Sequence, residues 1–130
     1  MDELERIRKD KLKKMLSERK NPIIEISDED FQKKVIEQSK KIPIVVDFWA
    51  VWCMPCLILG PILEKLVKEY NGKFILAKMN IDKGRATSQK YEIMSIPSVK
   101  MFKNGKVVDE FVGSIPESMV RKWLDKNISR

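Results

Sequence analysis

From Ile42 to Leu63 the chain carries a single charge, Asp47, although 35% of its residues are charged. A stretch of this kind is expected to be buried, and it is long enough to raise the question of a membrane span, which needs about 20 apolar residues. Pro43, Pro55, Gly60 and Pro61 interrupt it, and a carboxylate stands in its first third. It therefore reads as a buried strand followed by a buried helix. Ile44–Ala50 is almost wholly apolar, as a strand covered on both faces requires. The helix runs from about Met54 to Tyr70, bent where Gly60 and Pro61 break the hydrogen-bond ladder, and Asn71-Gly72 ends it.

The rest of the chain supplies layers for that strand. Ile23–Ile26 is a short strand, and Ser27-Asp28-Glu29-Asp30 has the form of a capping box opening a helix with Phe31, Val35 and Ile36 as its apolar stripe. Phe74–Ile81 is the next strand, and Arg85–Tyr91 a short helical piece. Ser98–Lys103 and Lys106–Val112 form a hairpin on Asn104-Gly105. Ser114-Ile115-Pro116-Glu117 is a second capping box, with Pro in the first turn of a helix whose apolar side is Val120, Trp123 and Leu124. The order β-α-β-α-β-α-β-β-α predicts an α/β domain: a central five-stranded mixed sheet with helices on both faces and right-handed crossovers. Residues 1–21 stand apart as a charged helical extension, with residues 22–130 as the domain. Leu4, Ile7, Leu12, Met15 and Leu16 fall on one half of the arm's helical wheel, and Asn21-Pro22 stops it.

Composition removes several chemistries. The 130 residues contain no histidine, which excludes a Ser-His-Asp triad, a Cys-His dyad and histidine metal sites. Two cysteines cannot complete a four-thiolate zinc site within one chain. The net charge of +7 suits acidic partners, nucleic acid or a membrane surface, and equally a solvated surface of mixed charge. The basic residues are not interleaved with aromatics, so no nucleic-acid binding is expected. The first twenty residues carry thirteen charges and no apolar core, so no secretory signal is expected, and a cytoplasmic location without membrane attachment follows as the expectation.

Chemistry concentrates at Trp52-Cys53-Met54-Pro55-Cys56, where the buried strand gives way to the helix. With Cys53 as N-cap, Pro55 occupies an early helical position whose amide has no partner to lose. Cys53 then faces the free amides and the positive end of the helix dipole, which favour thiolate over thiol. Cys56, three residues on, lies on the same face, so the two sulfurs can close a tight disulfide. Cys53, at the exposed lip, is the expected nucleophile, and Cys56 the residue that resolves a mixed disulfide. A metal half-site shared across a dimer, or two inert buried thiols, would use the same spacing.

The segments Val45-Val46-Asp47-Phe48-Trp49-Ala50, Trp52–Cys56, Gly60-Pro61, Ala77-Lys78-Met79-Asn80-Ile81-Asp82, Ser95-Ile96-Pro97, Phe102-Lys103-Asn104-Gly105 and Val112-Gly113 occur in order. In these the sequence resembles the thioredoxin family across residues 22–130. The resemblance implies the thioredoxin fold and a thiol–disulfide oxidoreductase that reduces protein disulfides. It implies no cofactor beyond the Cys53–Cys56 disulfide, and re-reduction by a thioredoxin reductase. It places Asp47 behind Cys56 as its base, with Lys78 as charge partner. Burial would raise the pKa of Asp47, although a structural carboxylate bonded to backbone is the competing reading. It also makes Ile96-Pro97 a cis bond opposite the disulfide, leaving the Ile96 backbone to pair with an extended client. Trp52, Met54, Pro55, Ile96, Val112 and Gly113 would line the docking groove, with Phe48 and Trp49 in the core.

Two residues depart from the family pattern: Met54 stands where Gly is usual, and Leu57 where Lys or Arg usually follows the second cysteine. They predict a slightly less favoured thiolate and clients with apolar rims. The expected client is a disulfide-containing protein and the expected state a monomer. An oxidase or isomerase, and a non-catalytic binding module, are the competing functions. Pro55 rather than His between the cysteines favours reduction.

Overall fold

The apolar run builds the middle strand of the sheet. The computed structural model describes residues 2–129, and the side chains of all of these except residues 12–20. Five strands, β1 (Ile23–Glu25), β2 (Ile44–Trp49), β3 (Ile75–Asn80), β4 (Ser98–Lys103) and β5 (Lys106–Val112), lie in the order β1-β3-β2-β4-β5. β1, β3 and β2 run parallel, while β4 and β5 are antiparallel to their neighbours. The helices are α1 (Glu3–Lys20), α2 (Met54–Glu69), α3 (Arg85–Lys90) and α4 (Glu117–Ile128).

Alternation along β2 divides the core. Val45 points to one side, where Leu59, Leu63, Leu66 and Val67 of α2 and Val120 and Leu124 of α4 meet it. Ile44, Val46 and Phe48 point to the other, against Phe31, Val35, Ala77, Met79 and Phe102, with Tyr91 at the end of α3 packed on them. By the same period of two, Asp47 and Trp49 share the Val45 side beneath α2. Lys78, the register partner of Asp47, shares that side with Leu76. Lys65 and Glu69 of α2 pair with Glu117 and Arg121 of α4 across the outside of this layer.

Several expected details differ. Residues 32–37 form a π-helix followed by a 3-10 turn at Gln38–Lys40, not an α-helix. Phe31, Val35 and Ile36 recur at intervals of four and five, and the wider turn brings all three toward the sheet. The first capping box is half made: the Ser27 N–H donates to Asp30 Oδ1 at 2.6 Å. The second does not form. Pro116 itself is the N-cap of α4, with no side-chain cap, so it precedes the first turn instead of entering it. β1 closes at Glu25, although the Ile26 N–H still donates to the Lys78 carbonyl at 3.0 Å. Asn104 and Gly105 both take positive φ, 53° and 81°, as a two-residue hairpin of this twist requires. On α1, Leu4 and Ile7 are exposed; Leu12, Met15 and Leu16 of the expected stripe lie outside the described side chains. No helix among the described residues is long and apolar enough to cross a membrane.

Candidate active site

After Trp49 the chain turns through Ala50-Val51-Trp52, and the Cys53 N–H donates to the Ala50 carbonyl at 3.2 Å. Cys53 is extended (φ −94°, ψ 106°) and is the N-cap of α2. Its carbonyl accepts the first helical bond from Leu57 N–H at 3.2 Å. Its Sγ accepts from the Cys56 amide, also at 3.2 Å, so an amide of the first turn with no partner inside the helix points at sulfur. Pro55 fits because its position needs no donor. Cys53 and Cys56 are joined as a disulfide, with Cα atoms 5.3 Å apart. The exposed lip expected at Cys53 is not seen in this state: Cys53 is 5% exposed and Cys56 3%. Ala50, Trp49, Ile81 and Ile96 pack around both sulfurs and shield them almost equally.

Opposite the disulfide, the Ile96 carbonyl oxygen lies 3.8 Å from Cys53 Sγ, and the Ile96–Pro97 peptide is cis. Pro97 is buried, and its carbonyl accepts from the Gly113 N–H at 2.8 Å. Ser98 and Val112 pair where β4 and β5 meet this loop. Cys53, Ile96, Pro97, Val112 and Gly113 thus form one continuous patch. Gly113 takes φ 93°, and a Cβ there would meet nothing within 4 Å, so another backbone has room to approach. Val112 is exposed, as are Trp52, Met54 and Pro55.

Asp47 is buried, 1% exposed, and its Oδ1 has no hydrogen-bond partner among the described residues. Burial, opposed by the Lys78 charge and reinforced by that of Glu64, pushes its carboxyl up to about 7. The Lys78 ammonium stands 4.9 Å above the centre of the Trp49 ring. Trp49 in turn packs against the cysteine cluster, so Asp47, Lys78 and Trp49 form one layer leading to the disulfide. At Gly60 of α2 a Cβ would sit 3.6 Å from Lys78 Nζ, so the helix passes close over the ammonium. On the outer side, the Trp52 indole N–H donates to Asp82 Oδ2 at 2.9 Å.

This combination of helix-capping disulfide, cis-proline loop and buried carboxylate coincides with similarity along most of the chain. The family model for thioredoxin matches residues 22–126. Thioredoxin 2 of Chlorobaculum tepidum is 45% identical over 104 residues, covering 80% of this chain and 94% of that protein. The thioredoxins of Buchnera aphidicola and Staphylococcus epidermidis are each 42% identical, covering 84% and 82% of this chain and 99% and 98% of their own lengths. The chain belongs to the thioredoxin family. Its sheet and helices are the thioredoxin fold, and its Cys53–Cys56 pair makes it a thiol–disulfide oxidoreductase.

Within this thioredoxin site, three participants were not legible in the sequence. Asp82 fixes the Trp52 ring across 30 residues of chain, Ile81 closes over the disulfide, and Glu64 sets part of the field at Asp47. Ile81 and Asp82 lie in a segment that carries the resemblance, but nothing local gives their contacts, since only the crossover between β2 and β3 brings them to the end of β2. The Asn80 side chain, accepting from the Asp82 N–H at 2.9 Å, is the one local hint, an Asx turn that aims Asp82 outward.

Proposed function

We propose that this chain reduces protein disulfides through Cys53 and Cys56 and is recharged by a thioredoxin reductase in the cytoplasm, acting as a monomer. The observation that carries the reading is the Cys56 amide directed at Cys53 Sγ at the positive end of α2. In the reduced protein the same amide and dipole favour a Cys53 thiolate. That thiolate attacks one sulfur of a client disulfide, forming a mixed disulfide and releasing the first client thiolate. The Cys56 thiol then gives its proton to the Asp47 carboxylate and attacks Cys53 Sγ. The second client thiolate leaves, and two electrons have passed to the client as Cys53–Cys56 closes.

Asp47 suits the proton-accepting role because a carboxyl held at about 7 exchanges a proton near neutral pH. Lys78 keeps the ionised form accessible by opposing the cost of burial. The Ile96 amide has no backbone partner among the described residues, which suits pairing with an extended client strand. Trp52, Met54, Pro55, Val112 and Gly113 supply the surface around it, and Pro97 holds Ile96 against Cys53. The test is the rate at which dithiothreitol precipitates a protein with interchain disulfides, followed as turbidity. The wild type is expected to accelerate it and Cys53→Ser to give only the uncatalysed rate. A Cys53→Ser protein as active as wild type would remove the assignment.

A further inference from the structure

Helix α2 presents an unusual outer face. Met54, Leu57 and Ile58, at spacings of three and four, share one side of its first two turns and are 68%, 48% and 58% exposed. Pro61 continues the line, exposed, and Val51 begins it in the preceding turn. No charged residue occurs between Asp47 and Glu64. Helix α4 has Met119 exposed, but among the charged and polar Ser118, Lys122, Asp125 and Lys126. In a chain with 35% charged residues, a charge-free solvated helix face beside the reactive group marks a contact surface.

We propose that this face selects client disulfides flanked by apolar side chains over those flanked by charged ones, an inference that rests on the disulfide-reducing function above. Its occupant follows from position. The stripe passes through Met54, one of the two residues between the cysteines, and runs on along α2 beside Cys53, so the molecule that covers it is the one whose sulfur reaches Cys53. Charged flanking groups would lose water against Leu57 and Ile58 without gaining a partner. Apolar ones would bury further surface of both molecules.

Two synthetic peptides with the same internal disulfide, flanked by leucine in one and glutamate in the other, provide the probe. Second-order rate constants for the reduced protein at 0.15 M salt are divided by those for dithiothreitol, which removes the peptides' intrinsic reactivity. The protein's +7 charge alone would favour the glutamate peptide. The apolar face instead predicts the leucine peptide ahead by about tenfold, the effect of burying roughly one further aliphatic side chain. Leu57→Gln/Ile58→Gln, which keeps helix propensity and adds no charge, should lower the ratio to near one, and Ile58→Gln alone should give an intermediate value.

Equal rates in the wild type, a preference for glutamate, or a ratio that survives the double substitution would each overturn the inference. So would a dimer closed over this face, seen as concentration-dependent sedimentation that the double variant abolishes. Failure of the wild type on both peptides and on dithiobis(nitrobenzoate) would instead overturn the reducing function, and the inference with it.

Discussion

At Asp47 the burial that suits the carboxyl to the proposed proton-accepting role also costs the folded protein stability. Its carboxyl is held at about 7 in the folded protein against 3.8 for an exposed group. Between those values the folded state is protonated and the unfolded state ionised, so folding binds a proton and stability falls as pH rises from 4 to 7. Above 7 the loss is complete and stays constant. Asp47→Asn, neutral throughout, is expected to become more stable relative to wild type by on the order of 4 kcal/mol between pH 4 and pH 8. Denaturant unfolding of the oxidised proteins at the two pH values measures this difference, and a constant gap between them would contradict the burial of an ionisable Asp47. The perturbed carboxylate was legible because a lone Asp inside Ile-Val-Val-Asp-Phe-Trp has no exposed place in a central strand. The orientation of Trp52 by Asp82 was not, because a hydrogen bond between residues 52 and 82 has no periodicity to betray it. The near-equal burial of the two sulfurs was also missed, since it depends on Ile81 and Ile96 arriving from other parts of the chain.

At the level of elements, the central strand followed from its apolar run and the hairpin from turn chemistry, with β4, β5 and the start of α2 where local signals placed them. The failures fell where tertiary contacts overrode local ones. Residues 32–40 close on the hairpin, with the Asn104 N–H donating to the Ser39 carbonyl and the Gly105 N–H to Ser39 Oγ, both at 2.8 Å. That anchorage and the burial of Phe31 and Val35 accompany the wider helical turn. Helix α3 has no side-chain cap of its own. Its start is held from outside by Asp28, whose carboxylate accepts from the Thr87 N–H at 2.9 Å and from its hydroxyl at 2.6 Å. Gly84, which precedes α3, is pressed against β3. A Cβ there would fall on the thioether of Met79, which is fully buried. Gly84→Ala is therefore expected to cost about 1–3 kcal/mol, the range for overpacking a core. Its denaturant midpoint would show this, and an unchanged midpoint would mean that Met79 moves aside freely.

For the molecule as a whole, hydrogen bonding to the sheet begins just before β1 at Pro22, whose carbonyl accepts from the Leu76 N–H at 2.8 Å, and the family match begins at the same residue. The arm before it carries three of the seven net positive charges. Deleting residues 1–21 while keeping Pro22 is expected to leave the melting midpoint and the turbidity rate unchanged, and a large fall in either would make the arm part of the domain. The remaining layers, α2 and α4 on one side and α3 with the π-turn on the other, hold β2 so that its end delivers Cys53 to the start of a helix. The central claim is that this position turns Cys53 into a thiolate near neutral pH. Alkylation of the reduced protein by iodoacetamide across pH, with the modified cysteine identified by mass spectrometry, tests it most directly. Cys53 is expected to react with a midpoint well below the ordinary thiol value of about 8.5. A midpoint at or above that value would contradict it.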